Sequence, residues 1–194
     1  EMSRLAVERI PAEAILMPSV YYAFNVHHLD FPGTIAVEGD TFINYVTDIG
    51  KSLAHHGFEK IYFLNGHGGN VATIEAAFSE LYAEVSYRGG NRGFACKLKN
   101  WWDLKGVTAL ANRQFPVGHG SHATPSEIAV TQWGYPDAIK SANYAPQIAP
   151  TGPIREALDF RARYADGRMG SDPGQASPEK GGELVAAAVA GLME

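Results

Sequence analysis

Residues 60–70 of the chain read KIYFLNGHGGN, a compact run of strand-forming residues that passes directly into a glycine-rich loop. Beyond the loop, apolar residues recur at helical spacing, at Ile74, Ala77, Phe78, Leu81 and Tyr82. A strand, a short loop and a helix in this order begin a crossover connection, which joins parallel strands. The stretch therefore predicts an α/β fold built on a mainly parallel sheet.

The neighbouring segments extend this pattern. Residues 40–56 carry apolar side chains at helical spacing, and Gly57 stands where a glycine commonly ends a helix. Residues 93–98 form a second strand-like run, and residues 14–18, AILMP, form a third that we expect to be buried. The alternation of helices and strands predicts a sheet covered on both faces.

The second half of the chain has a different composition. Helices are predicted over residues 125–133, 154–164 and 183–192. The Pro/Gly-rich residues 145–182 are expected to wrap the surface of the domain or an oligomer interface. No internal repeat divides the sequence, so we expect one domain over residues 1–194.

Composition excludes several classes of partner. The net charge of −5 and a charged fraction of 19% provide no basic surface for a phosphate backbone, so nucleic acid is not expected. The apolar run at residues 184–193 is about half of the roughly 20 residues that a membrane span needs. Cys96 is the single cysteine, which excludes an internal disulfide and indicates a cytoplasmic protein.

The glycine loop at residues 65–70 allows three interpretations. It could hold a phosphate at the start of the following helix, but it lacks the lysine and the glycine spacing of the known phosphate loops. It could present His67 as a metal ligand at the carboxyl end of a strand, where ligands of parallel sheets bind. It could also be a plain turn with an incidental histidine.

Glu127 has two interpretations as well. Thr124, Pro125 and Glu127 have the spacing of a capping box with proline at the first helical position, which by itself explains a glutamate here. The alternative is a carboxylate ligand for a metal. His119 and His122 precede it among glycines, an unusual cluster for a simple turn.

Three motifs occur in the order of one known family. They are FPGT at residues 31–34 with His28 before it, FLNGHGGN at 63–70, and HATPSE at 122–127. In this order and spacing the chain resembles the creatininase family. The resemblance implies a three-layer α/β/α fold, a homohexamer, and a centre of two divalent transition metals per complete subunit, zinc, manganese or iron. It also implies hydrolysis of a C–N bond, in an amide, cyclic amide or formamide.

The resemblance assigns roles to individual residues. It makes His67 and Glu127 metal ligands and gives His122 the general acid/base role, which suits an imidazole near neutral pH. It places Trp102 beside a small-molecule amide substrate, where a flat ring can stack on the amide plane, and Trp101 in the core. Gly68 and Ser121 are the remaining substrate-binding candidates.

The chain departs from the family pattern at two places. The family's opening Glu-x-His pair and its bridging aspartate would precede residue 1, so we expect a metal-binding segment upstream, and we expect His67, His122 and Glu127 to converge on one open cleft. Creatininases carry tyrosine and glutamate where Gly68 and Gly69 stand, and an acidic residue in place of Ser121, so another small cyclic amide or a formamide is as strong a substrate candidate as creatinine. The alternative function is a non-catalytic small-molecule or anion-binding module, or a structural hexamer subunit.

Overall fold

A computed structural model describes residues 1–90 and 93–194. Within this part of the chain no helix is long and apolar enough to span a membrane. The same residues form seven α-helices and two β-strands, which are α1 Met2–Val7, α2 Gly39–His55, β1 Lys60–Asn65, α3 Val71–Tyr87, β2 Ala95–Asn100, α4 Val107–Gln114, α5 Pro125–Gly134, α6 Ala157–Arg163 and α7 Pro178–Leu192.

The contacts between residues divide the chain into two compact units. The first, here called the strand unit, is Ser19–Trp101. The second, the helical unit, consists of Glu1–Pro18 and Trp102–Glu194. The single domain predicted over residues 1–194 stays a prediction.

The strand unit contains the predicted crossover. Strands β1 and β2 pair in parallel, in a register that runs from Lys60 opposite Ala95 to Asn65 opposite Asn100. Helix α3 connects the two strands and packs on α2. The core between the helices consists of apolar side chains from both, namely Phe42, Val46, Ile74 and Ala77. The predicted strand–loop–helix–strand order is confirmed.

The helical unit is organised around α7, which contacts α1, α4 and α5. A Cβ atom at Gly181 would lie 2.0 Å from the carbonyl oxygen of Ala129, so α5 and α7 can approach this closely only with glycine at that position. Helix α7 begins at Pro178, five residues before the predicted start. Ser177 caps it through a bond from Lys180 N to its Oγ (3.3 Å), and the pair Gly181-Gly182 lies inside the helix rather than before it.

Residues 14–18 differ from the prediction. They form no strand, and the side chains of Ile15 and Met17 are 68% and 52% exposed. A strand needs a neighbour that satisfies its backbone groups, and the sheet of the described residues consists of β1 and β2 alone. Apolar composition by itself therefore did not make this segment a buried strand.

The Pro/Gly-rich residues 145–182, which were expected to wrap the surface or an oligomer interface, differ from the prediction in part. Most of residues 145–163 are exposed, whereas several members of the segment belong to the interior of the helical unit. Fully buried or nearly fully buried members are Phe160, Tyr164, Arg168, Met169, Ser171 and Asp172. Among the glycines of this region, Gly167 and Gly181 are buried, whereas Gly152 and Gly174 are exposed.

Candidate active site

The glycine loop lies where the sequence predicted it, between the end of β1 and the start of α3. His67 is half-buried and extended, with φ −142° and ψ 122°. A short 3₁₀ turn, Gly68–Asn70, follows it and leads into α3. This edge of a parallel sheet is where side chains from strand ends and loops meet a ligand.

The side chain of Asn65 braces the loop. Its Nδ2 donates to the carbonyl oxygen of His67 (2.7 Å) and to Oδ1 of Asn100 (2.8 Å). Its Oδ1 accepts from the backbone N–H of His67 (3.2 Å) and from Nδ2 of Asn70 (3.3 Å). Because Asn65 is buried and tied to the last residue of β2, the backbone of His67 is fixed from both sides. The side chains of Asn65 and Asn70 therefore brace the loop.

Two further histidines surround the ring of His67. The ring of His27 stacks on it, with centroids 5.9 Å apart and planes 14° apart, and the ring of His28 lies 6.1 Å away. His28 is buried, and its Nδ1 contacts Oδ1 of Asn25. Sequence reasoning assigned no role to His27. The signal that could have found it is its position beside His28, just before the FPGT motif.

The two glycines after His67 are not equivalent. A Cβ atom at Gly68 would meet no described atom within 4 Å, so the space beside this residue is open. A Cβ atom at Gly69 would lie 2.5 Å from Nε2 of His67. Glycine at position 69 therefore permits the observed ring position, whereas glycine at 68 leaves room that a substrate could fill. The substrate role of Gly68 stays a prediction.

In the helical unit the loop before α5 lies against a second backbone segment. The N–H of Ser121 donates to the carbonyl oxygen of Met169 (2.9 Å), and the N–H of Met169 donates to that of His122 (3.2 Å), which makes an isolated antiparallel bridge. Ser171 Oγ donates to the same His122 oxygen (2.7 Å). Gly120 has φ +69°, and a Cβ atom there would lie 2.3 Å from the Met169 oxygen. Backbone contacts thus hold the histidine in place.

His122 itself is half-buried. Its Nδ1 contacts the carbonyl oxygen of Gly167, and its ring meets the ring of Phe160 edge-on at 5.8 Å. The next residue, Ala123, has φ +50°, a left-handed conformation that costs a residue with a Cβ about 1–2 kcal/mol. Such strain is kept where the surroundings over-determine a backbone, and it occurs often at functional sites.

Glu127 forms the predicted capping box. Its Oε2 accepts from the N–H of Thr124 (3.0 Å) and from Oγ1 of Thr124 (2.8 Å), and its own N–H donates to Thr124 Oγ1 (3.2 Å). The capping interpretation is confirmed. A metal-ligand role for the same carboxylate stays a prediction.

His119 belongs to the same corner of the helical unit. Its Nε2 lies 2.9 Å from Oγ of the buried Ser126. Burial lowers the pKa of His119, while the negative charge of Glu127 and a backbone hydrogen bond to Gly120 act in the opposite direction. His119 thus contacts the residue that directly precedes Glu127 in the first turn of α5.

The two tryptophans after β2 are in the predicted environments. Trp101 is buried, with 7% of its surface exposed, and Trp102 is half-exposed. The carbonyl oxygen of Trp102 accepts from Oγ1 of Thr108 (2.8 Å), which anchors it to α4. Contact between Trp102 and a substrate stays a prediction.

The candidate ligands fit a metal by chemistry but do not form a complete set within one unit. Imidazole and carboxylate suit zinc and manganese. His67, with His27 and His28 beside it, belongs to the strand unit, whereas Glu127 and His122 belong to the helical unit. Over residues 1–90 and 93–194, no group of three or more His, Cys, Asp or Glu side chains is arranged to hold a metal ion. Convergence of His67, His122 and Glu127 stays a prediction.

Known proteins similar to this chain include two kinds of hydrolase. Creatinine amidohydrolase of Pseudomonas putida is 26% identical over 192 residues, which cover 93% of this chain and 73% of that protein. Mycofactocin precursor peptide peptidase of Mycobacterium tuberculosis strain H37Rv is 32% identical over 85 residues, 42% of this chain and 34% of that protein.

Solved structures of creatininase share the fold. A Glu-to-Gln mutant creatininase complexed with creatine matches with a TM-score of 0.81 and 25% identity, over 99% of this chain and 78% of that one. A mutant creatininase of Zn-Zn type matches with a TM-score of 0.79, and a structure called Creatininase Mn with 0.76, both at 24% identity and over 99% of this chain and 77% of theirs. The predicted α/β, creatininase-like fold is confirmed.

A family model ties these similarities together. The model described as Creatininase: Creatinine amidohydrolase matches residues 1–194. The match includes the FPGT motif, the loop with His67 and the helix start with Glu127. The chain belongs to the creatininase family.

Proposed function

We propose that the protein is a metal-dependent hydrolase that cleaves a C–N bond, in an amide, cyclic amide or formamide of a small molecule. The observation that carries the proposal is the position of His67. The residue is half-buried at the carboxyl end of β1, and Asn65 fixes its backbone through bonds to its N–H and its carbonyl oxygen. A braced imidazole at this place, in a chain of the creatininase family, is best explained as a metal ligand.

His67 and Glu127 would hold divalent transition metal, two ions per complete subunit, zinc or manganese by the chemistry of the donors. Such a centre, when bound, would supply a hydroxide at neutral pH and would polarise the scissile carbonyl. His122 moves the proton between the attacking water and the leaving nitrogen, a role that a positioned imidazole performs near neutral pH. Trp102 stacks on the amide plane, and Gly68 and Ser121 line the substrate.

Glu127 can serve as cap and ligand together. The capping box uses its Oε2, and the bonds from Thr124 set the direction of the carboxylate before any metal binds. Preorganised ligands of this kind raise metal affinity because less freedom is lost on binding. The cap therefore supports the ligand role and does not compete with it.

The choice of substrate follows from the loop. Gly68 and Gly69 offer neither a ring nor a carboxylate, and the space beside Gly68 is open. This favours a small amide of a different shape from creatinine. A peptide C–N bond is a second candidate, because one relative of this chain is named a precursor peptide peptidase. Assembly as a homohexamer and a cytoplasmic location belong to the same proposal.

A hydrolysis panel tests the proposal. The zinc- or manganese-loaded protein would be offered creatinine, a small lactam, a formamide and a short peptide, with release of the amine or acid measured. We expect turnover of at least one compound, and a loss of about 100-fold or more in kcat for His122→Gln. Binding of a compound without turnover, by a protein that holds no metal, would favour the non-catalytic module or the structural subunit instead.

A further inference from the structure

The segment Asp166–Asp172 has no part in the function proposed so far, yet it forms hydrogen bonds with the backbone of His122. Met169 pairs with residues 121 and 122 through two backbone hydrogen bonds, and Ser171 Oγ donates to the His122 oxygen. Both Met169 and Ser171 are buried. The histidine is thus attached to a segment about 45 residues later in the chain.

The same segment contacts the imidazole ring. Nδ1 of His122 lies against the backbone carbonyl oxygen of Gly167. A carbonyl oxygen can only accept a hydrogen bond, so Nδ1 must be the donor. A neutral imidazole carries a single N–H, so a proton on Nδ1 leaves Nε2 as its basic nitrogen.

The carbonyl of Gly167 is itself held by its neighbour. Arg168 is 3% exposed, and its guanidinium donates to the backbone oxygens of Pro146 (3.0 Å) and Gln147 (2.9 Å) and to the carboxylate of Asp166 (2.7 Å). Its Cζ also lies 4.9 Å from the centre of the Tyr144 ring. Gly167 donates its N–H to the Tyr164 oxygen (2.8 Å) and has φ +81°. A buried arginine with this many partners leaves the adjacent peptide little freedom.

We propose that Arg168 is a positioning residue that, through the carbonyl oxygen of Gly167, fixes His122 as the Nδ1–H tautomer and makes Nε2 the nitrogen that exchanges a proton with the substrate. The use of that nitrogen in catalysis rests on the proposed function, whereas the tautomer does not. The partner is a neutral carbonyl, so it orients the ring without adding the negative charge that a carboxylate partner would bring.

Nitrogen NMR of the histidines tests the tautomer. The zinc-equilibrated protein would be labelled with ¹⁵N-histidine, and His122 would be assigned among the 7 histidines by the signals missing from His122→Gln. We expect a protonated Nδ1 and a bare Nε2 for His122 at a pH where the ring is neutral. A proton on Nε2, or an equal mixture of both forms, overturns the inference whatever the protein hydrolyses.

Variants of Arg168 test the positioning role. Arg168→Lys keeps the charge but loses the planar fork that serves two carbonyls at once, so His122 should become a mixture of tautomers, and kcat should fall about tenfold or more with KM unchanged. Arg168→Met should have the larger effect. Signals of the other histidines report whether each variant is folded. If a variant does not fold, the tautomer of His122 in the wild-type protein decides the inference.

Arg163→Met is the matched control. Arg163 is an exposed arginine on α6 that pairs with Asp159 and should leave the His122 signals unchanged. A His122 tautomer that stays Nδ1–H in folded Arg168→Lys and Arg168→Met would remove Arg168 from the account. If the tautomer is as expected but His122→Gln hydrolyses normally, the acid/base role proposed for His122 fails, whereas the inference about its tautomer stands.

Discussion

The loop that carries His67 and the loop that carries His122 are held in place by different means. Asn65 braces the first from within a few residues and from the neighbouring strand, with side-chain amides. The second is held by backbone groups of residues 167–171 and by the Ser171 hydroxyl, far along the chain. The difference teaches that a short motif can contain its own support, whereas another motif of similar length depends on a distant segment that no local pattern reveals.

The largest effect expected on this comparison comes from Gly120→Ala. Position 120 has φ +69°, and a Cβ atom there would lie 2.3 Å from the Met169 oxygen. Alanine must therefore push the loop before α5 away from the segment that contains Met169. We expect a loss of about 3–5 kcal/mol in the free energy of unfolding, measured by urea denaturation. Gly134→Ala, where a Cβ atom meets no described atom within 4 Å, is the control and should change stability by less than about 1 kcal/mol. Equal effects of the two changes would contradict the close packing of this loop.

Asn65→Ala should have the next largest effect, in the strand unit. It removes the four hydrogen bonds of a buried side chain, which donates to the His67 and Asn100 oxygens and accepts from the His67 N–H and from Asn70, at a cost of about 2–3 kcal/mol. Denaturation of this variant beside Asn112→Ala, an exposed asparagine on α4, measures the difference. If Asn65→Ala is no less stable than the Asn112 control, the asparagine is not the support of the His67 loop.

Ala123→Gly examines the strain beside His122. Glycine removes the left-handed penalty of about 1–2 kcal/mol but adds freedom to the unfolded chain worth about 0.4–1 kcal/mol. The net result should be a gain of about 1 kcal/mol or less in the free energy of unfolding. Ala123→Val, a β-branched residue at the same φ, should be destabilising. A clear loss of stability in the glycine variant would show that Ala123 is not strained.

Glu127→Gln should have a smaller effect on stability and a large one on metal. Glutamine keeps the acceptor that the capping box needs, so unfolding should change by under about 1 kcal/mol. A ligand needs the negative charge, so metal per chain should fall. Full metal content together with full activity in Glu127→Gln would leave the residue as a cap only.

The smallest effect expected concerns pH. Burial holds the pKa of His119 below its ordinary value, so the unfolded chain takes up this proton first as the pH falls. Stability should therefore decline slightly as the pH drops from the ordinary histidine pKa to the lowered one, and level off below it. In His119→Gln this part of the pH dependence should be absent, which denaturation at several pH values would detect.

The sequence predicted most where the pattern is local. Strand β1, the loop with His67 and helix α3 lie within 28 residues, from Lys60 to Tyr87, and their apolar spacing specifies them directly. The capping box of Thr124 and Glu127 is equally local, and it too was confirmed. In both cases the residues that set the structure are neighbours in the chain.

The remainder depended on partners that the local sequence does not name. Residues 14–18 have strand composition, but they form no strand in the described structure. The glycines at 181 and 182 suggested that the helix begins after them. In the structure they lie inside α7 and let it approach α5, a contact between residues that are distant in the chain. No sequence pattern pointed to Arg168 or Gly167. The guanidinium of Arg168 bonds to backbone oxygens inside the helical unit, and Gly167 contacts His122 through its carbonyl oxygen.

Metal content is the most direct test of the central claim, that His67 is a ligand at the end of β1. The full-length wild-type protein and its His67→Ala and His56→Ala variants would be equilibrated with zinc, freed of excess and analysed for metal per chain. His56, exposed at the end of α2, is the matched control. We expect metal in the wild type and in His56→Ala and a loss of at least one ion in His67→Ala, with all three folded. Equal metal in His67→Ala and the wild type would contradict the assignment of the site.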